Sequence, residues 1–104
     1  MLAAAAAIAG YVARGRGAFE SDPALQDAIV YQIIVLGEAA KAVLAADPAL
    51  ETDLPEIAWA SIARMRDRLT HHYWSSDVEV IWSTASGAVP ELHRLLTAAL
   101  KRLS

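Results

Sequence analysis

Along the 104 residues the apolar positions recur at steps of three and four, and no stretch alternates apolar with polar at every second residue. A half-buried strand needs that alternation, whereas one buried helix face needs the longer steps. The chain is therefore expected to be all-α, an up-down bundle of four to five helices. Residues 1–104 read as one domain, with no repeat, no low-complexity linker and a length that suits a single modest core.

The helix boundaries follow from local chemistry. The first helix is expected from about Leu2 to Val12 or Arg14, favoured by five consecutive alanines and broken by Gly15-Arg16-Gly17. Phe19 then tucks the connection against the core. Ser21-Asp22-Pro23 places an oxygen-bearing cap before a proline at the first helical position, so a second helix starts there and reaches about Ala45. Its buried stripe is drawn by Leu25, Ile29, Gln32, Ile33, Leu36, Ala40, Val43 and Leu44. Gly37 inside that helix costs about 1 kcal/mol against alanine, which marks a tight helix contact. Asp47-Pro48 closes it, and a polar loop leads through Pro55 to the apolar anchors Ile57 and Trp59 of a third helix. Ser75-Ser76-Asp77 with Glu79 forms a capping box for a fourth, which carries Val78, Ile81, Trp82 and Ala85 inward. Gly87 and Pro90 interrupt it, and Leu92, Leu95, Leu96, Ala99, Leu100 and Leu103 continue an apolar face to the end.

Composition excludes several classes. With no cysteine, neither a disulfide framework nor a thiolate metal site is available. A net charge of −3 gives no global attraction to nucleic acid, so such binding needs a local patch. The apolar opening Met1–Ala9 lacks a basic flank and is too short to span a bilayer, so a cytoplasmic protein is expected. The opening reads as the middle of a helix, as if residues upstream were missing. At 56% apolar residues, so small a chain is expected to leave apolar surface uncovered, which favours a homodimer.

Ionisable and aromatic groups crowd into one stretch, Arg64-Met65-Arg66-Asp67-Arg68-Leu69-Thr70-His71-His72-Tyr73-Trp74. On a helix Arg66, Leu69, Thr70 and Tyr73 share a side, whereas Arg66 and His71 diverge by about 140°. Either the helix ends between them or a second copy of the chain completes the site. The bland reading is a solvated basic helix edge. The residue types suggest more: arginine offers a planar fork for phosphate, and histidine exchanges a proton near neutral pH. Metal-free RNA cleavage needs a base for the 2′-hydroxyl, an acid for the 5′-oxygen and a cation for the charged phosphorane. Asp67 could orient a histidine or an arginine, and Tyr73 could donate a hydrogen bond or stack on a base.

Other motif classes are absent: no phosphate-binding glycine loop, no nucleophile elbow and no His-Glu-x-x-His. His71 and His72 point about 100° apart on a helix and have no carboxylate at ligand spacing, so no metal site is expected. His93 stands alone with Arg94 on the last helix and reads as a surface or interface residue. Glu38, beside Gly37, has two readings: a solvated carboxylate, or an inward one partnered by a central arginine.

Arg66-Asp67-Arg68-Leu69-Thr70-His71-His72-Tyr73 resembles the Arg-x4-His-x-Tyr signature of HepT-like toxins of the HEPN ribonuclease superfamily. Gly37-Glu38-Ala39-Ala40, Pro55-Glu56-Ile57-Ala58-Trp59 and Asp77-Val78-Glu79-Val80-Ile81-Trp82 also look like family landmarks, in order and spacing. The resemblance covers about Ala18 to Leu96. One departure is Arg64, where relatives commonly have glycine; it adds positive charge beside the motif. The resemblance implies a HEPN-type homodimer with its active cleft at the subunit interface. It also implies a metal-independent endoribonuclease without cofactor, the toxin of a type VII HepT/MntA toxin–antitoxin pair. By position Arg66 and His71 are the catalytic residues, with Asp67 and Arg68 supporting them. The implied partner is an MntA-type minimal nucleotidyltransferase antitoxin that transfers AMP to Tyr73. Two other classes stay open: a non-catalytic module that binds the nucleotidyltransferase, and a helical dimer that binds RNA or nucleotides through Arg64, Arg66 and Arg68.

Overall fold

A computed structural model of the chain describes residues 1–72 and 77–103, the side chains of His72 and Leu103 excepted. Tyr73, Trp74, Ser75 and Ser76 lie outside the described residues, and with them the tyrosine expected to accept AMP and the serines of the expected capping box. The described residues form helices α1 (Leu2–Val12), α2 (Arg16–Ser21), α3 (Pro23–Ala46), α4 (Leu50–Asp53), α5 (Trp59–His72), α6 (Val78–Ser83) and α7 (Val89–Leu103), with no strand among them. A π-helical turn, Thr84–Ala88, joins α6 to α7. The all-α expectation holds. The long rods number four, because α6, the π turn and α7 run on without a loop.

Helix α3 is the hub, packed against α5, α1 and α2. Its start is as expected: Asp22 accepts a hydrogen bond from the Ala24 amide at 3.0 Å, with Pro23 at the first helical position. By length and composition α3 could cross a membrane, but Leu25, Ile29, Val30, Ile33, Leu36 and Ala40 are buried in the core of this bundle. At about 36 Å for 24 residues, it sets most of the 41 Å long dimension of the molecule. In its last turn Leu44 packs against the core, whereas Val43 is exposed rather than buried as the periodicity suggests. Phe19, Ile8, Ile29 and Leu69 are the largest side chains fully removed from water, one each from α2, α1, α3 and α5.

Further details correct the sequence-based expectation. The break after α1 takes in Ala13, Arg14 and Gly15, the last with φ 93°, and Arg16 and Gly17 belong to a short helix. Burial of Phe19 overrides the helix penalty of Gly17, since a buried aromatic is stabilising by about 1.5–3 kcal/mol against about 1. The Gln26 side chain donates to the Phe19 carbonyl at 2.8 Å and so satisfies the end of that helix. The loop before Pro55 contains the single turn α4. Asp77 caps α6 by accepting from the Glu79 amide at 2.8 Å, which places the cap on aspartate. Ile81 and Ala85 face inward as expected, Trp82 packs on Phe19 with ring centroids 5.1 Å apart, and Val78 is exposed.

Candidate active site

The α3–α5 crossing is closest where Gly37 meets Arg66. A methyl group built on Gly37 would lie 2.2 Å from Arg66 Cβ and 2.7 Å from its Cγ, so only glycine lets the two helices approach this far. Close packing fixes where the arginine stem lies, and charges fix where its head points. Arg66 Nη1 donates to Asp67 Oδ1 at 2.9 Å, and Nη2 is paired with Glu38 Oε1. Each of the two readings of Glu38 holds in part: a central arginine partners it, yet it remains exposed to solvent. The arginine is also the most enclosed member of the group, its side chain 21% exposed against 53% for Glu38 and 47% for Asp67. The Arg66 Nε is buried without a hydrogen-bond partner.

The electrostatics follow the geometry. The Asp67 hydrogen bond raises the Arg66 pKa above its ordinary value, and Glu38's charge adds to this against the cost of partial burial. Asp67 is held below the usual carboxylate range, by Arg66 first and by Lys41 second. Both groups therefore keep their charge across the neutral range. Lys41, not singled out by the sequence, donates from α3 to Asp67 Oδ1 at 3.0 Å. Its spacing was a signal: three residues after Glu38 and four after Gly37, it falls on the face that meets α5.

Helix α5 runs unbroken through Arg66 and His71 to His72. This removes the first of the two arrangements expected for Arg66 and His71, a helix end between them. On a continuous helix their directions stay about 140° apart. Arg68 and His71 are exposed, and Arg64 is exposed with its Nη2 donating to Ser61 Oγ at 3.3 Å. Thr70 donates back to the Arg66 carbonyl at 2.8 Å, which binds its hydroxyl to the helix rather than to a substrate. Among the described residues no group of three or more histidines and carboxylates is placed to hold a metal ion.

The opposite side of α5 borders a cavity of about 330 Å³ with Ile33, Leu36, Ile62, Met65, Leu92 and Leu95 on its walls. Its lining is almost wholly apolar, with Glu56 and Glu91 near it held by Arg102 and Arg94. The chemistry-bearing face of α5 is the other one.

Fold and site together define an all-helical protein with an arginine–carboxylate cluster and a following histidine on one helix. The family profile described as ribonuclease HepT-like matches residues 1–99, and the chain belongs to that family. It is 38% identical over 74 residues to a Thermococcus cleftensis protein named as a probable ribonuclease HepT, a match covering 71% of this chain and 64% of that protein. Similarity to a Methanocaldococcus jannaschii protein named provisionally as an RNase is 36% identity over 72 residues, 69% of this chain and 57% of that one. A Caldanaerobacter subterraneus subsp. tengcongensis protein, also named provisionally as an RNase, is 32% identical over 84 residues, 81% of this chain and 72% of that one. The chain thus spans less than two thirds of the length of the first two relatives. No solved structure matches it.

Proposed function

We propose that the chain is a metal-independent endoribonuclease, the toxin of a toxin–antitoxin pair, acting as a homodimer in which two α5 helices pool their Arg66 and His71 side chains. The observation that carries this reading is the Arg66 guanidinium, pinned between Asp67 and Glu38 on a helix that continues through His71. One His71 takes the proton of a ribose 2′-hydroxyl as its oxygen attacks phosphorus. The phosphorus–5′-oxygen bond breaks, and the other His71 protonates the departing oxygen. Arg66 steadies the negative charge that builds on the phosphorane oxygens. The products are a 2′,3′-cyclic phosphate and a 5′-hydroxyl, and no electron changes hands. Every proton and charge has a side chain assigned to it, so purified protein should cleave single-stranded RNA equally well with and without excess EDTA. Loss of cleavage on chelation, restored by added metal, would refute the metal-independent scheme.

Control by an MntA-type nucleotidyltransferase fits the same site. The Tyr73 oxygen attacks the α-phosphorus of ATP and pyrophosphate leaves. By sequence spacing alone, an AMP attached seven residues after Arg66 would fall on the same side of a helix. Its phosphate would then compete with RNA for the arginine. Co-expression with the nucleotidyltransferase encoded beside it should add one or more AMP masses at Tyr73 and silence RNA cleavage, and Tyr73→Phe should remain unmodified. A neutralised protein with unmodified Tyr73 would leave occlusion by the partner as the mechanism. A second reading, a non-catalytic helical dimer that binds the nucleotidyltransferase or RNA, draws on one observation. Arg66 already holds two carboxylates, and a phosphate must displace or share them. The cleavage assay separates the two.

A further inference from the structure

Two cations from different helices converge on one anionic oxygen in this site. Lys41 Nζ from α3 and Arg66 Nη1 from α5 donate to Asp67 Oδ1 at 3.0 and 2.9 Å. Their separation is therefore no greater than two hydrogen bonds laid end to end, a span that a single phosphate bridges with its two non-bridging oxygens. The two cations differ in what they have left to give. Both terminal nitrogens of Arg66 are engaged by carboxylates, and its side chain is 21% exposed. Lys41 is 43% exposed and has three N–H donors, with Asp67 as its recorded acceptor. A phosphate arriving from solvent meets Lys41 first.

We propose that Lys41 is a second phosphate-binding residue of this site, holding a non-bridging oxygen of the RNA backbone beside Arg66. The inference rests on the ribonuclease reading for the identity of the ligand, and on the α3–α5 geometry for the role of Lys41. The lysine contributes binding and approach, whereas the arginine, gripped on both sides, contributes a fixed charge at the phosphorane. An exposed ion pair exchanges its partner at little cost, so the lysine can turn from Asp67 to phosphate or hold both.

The test uses the full chain carrying His71→Ala, which should bind RNA without cutting it, and a single-stranded oligoribonucleotide titrated over a range of potassium chloride concentrations. Each phosphate contact to a single strand contributes about 0.7 to the slope of log affinity against log salt. Adding Lys41→Met should lower that slope by about 0.7, and Lys41→Arg should restore it. A lysine that only braced Asp67 would change affinity without changing the slope. Lys41→Gln keeps a polar tip and reads the same slope if the methionine variant aggregates. An unchanged slope in the neutral variants overturns the inference, and if the parent still cleaves RNA the ribonuclease reading survives. A parent that binds but does not cleave removes the catalytic reading and leaves the role of Lys41 measurable. A parent that neither binds nor cleaves removes both.

Discussion

Under the proposed mechanism, Arg66→Ala and His71→Ala should each lose RNA cleavage by a factor of about 10² to 10⁴, while the far-ultraviolet helical signal stays at the parent's level. The size follows from the roles: an acid–base group and a charge-stabilising cation are each worth that much when removed from a positioned site. The survival of the fold follows from packing. Alanine keeps the Cβ of Arg66, the atom that comes closest to Gly37, so the α3–α5 contact stands. The abandoned Glu38 and Asp67 carboxylates are about half exposed and rehydrate, and Lys41 still pairs with Asp67. His71 is exposed and supports no part of the core. Initial rates on a labelled oligoribonucleotide, beside circular dichroism of each variant, check both halves. His71→Ala cleaving at the parent's rate would refute its assignment as proton carrier.

The largest effect on stability is expected from a single methyl group at Gly37. Alanine in a helix interior gains about 1 kcal/mol over glycine, which alone would stabilise the protein. Against this stands overpacking, which costs about 1–3 kcal/mol when extra carbon is forced into a packed interface. Here the obstacle is the Arg66 Cβ, 2.2 Å from the new methyl and anchored to the α5 backbone, so no side-chain rotation relieves it. The helices must move apart, and the cost belongs at the top of that range. Gly37→Ala should therefore lower the melting temperature, by about 4–8 °C for each kcal/mol of net loss in a domain of this size. Cleavage should fall with it, because Arg66 no longer stands opposite Glu38. Gly10→Ala on α1 is the control: that glycine is exposed, its added carbon would meet nothing within 4 Å, and only the propensity gain remains. A Gly37→Ala protein that melts at or above the parent's temperature would show that the contact yields.

Much of this was legible in the residues, and the exceptions have physical causes. The start of α3 could be read from Asp22-Pro23 because a cap and a proline are local chemistry. The tight contact at Gly37 could be inferred from the helix penalty, but the identity of its neighbour could not. Periodicity says that a face is buried and not what buries it. Glu38 has two readings for the same reason, and the arginine opposite partners it while leaving it exposed. The helix at Arg16–Ser21 was hidden by two glycines whose penalty Phe19 burial outweighs. Val43 fits the stripe of α3 but stands at its edge, exposed beside the packed Leu44. For Arg66 and His71 the sequence offers a helix end or a second copy, and the unbroken α5 excludes the helix end, so the second copy stands as part of the proposal above.

The π turn at Thr84–Ala88 has a consequence for chain length. Inward positions Ile81, Ala85 and Val89 are separated by four residues twice over, and then Leu92, Leu96 and Ala99 follow at three, four and three. On a regular α-helix two successive steps of four would place Val89 about 80° round the axis from Ile81. The wider turn absorbs that drift, so the two segments stay in phase although the chain carries one residue more than their packing uses. The surplus is housed among Ser86, Gly87 and Ala88, all on the solvent side. Loss of one residue there returns the spacing to an ordinary helical rhythm. This part of the molecule can therefore change in length by one residue while every core side chain downstream keeps its orientation.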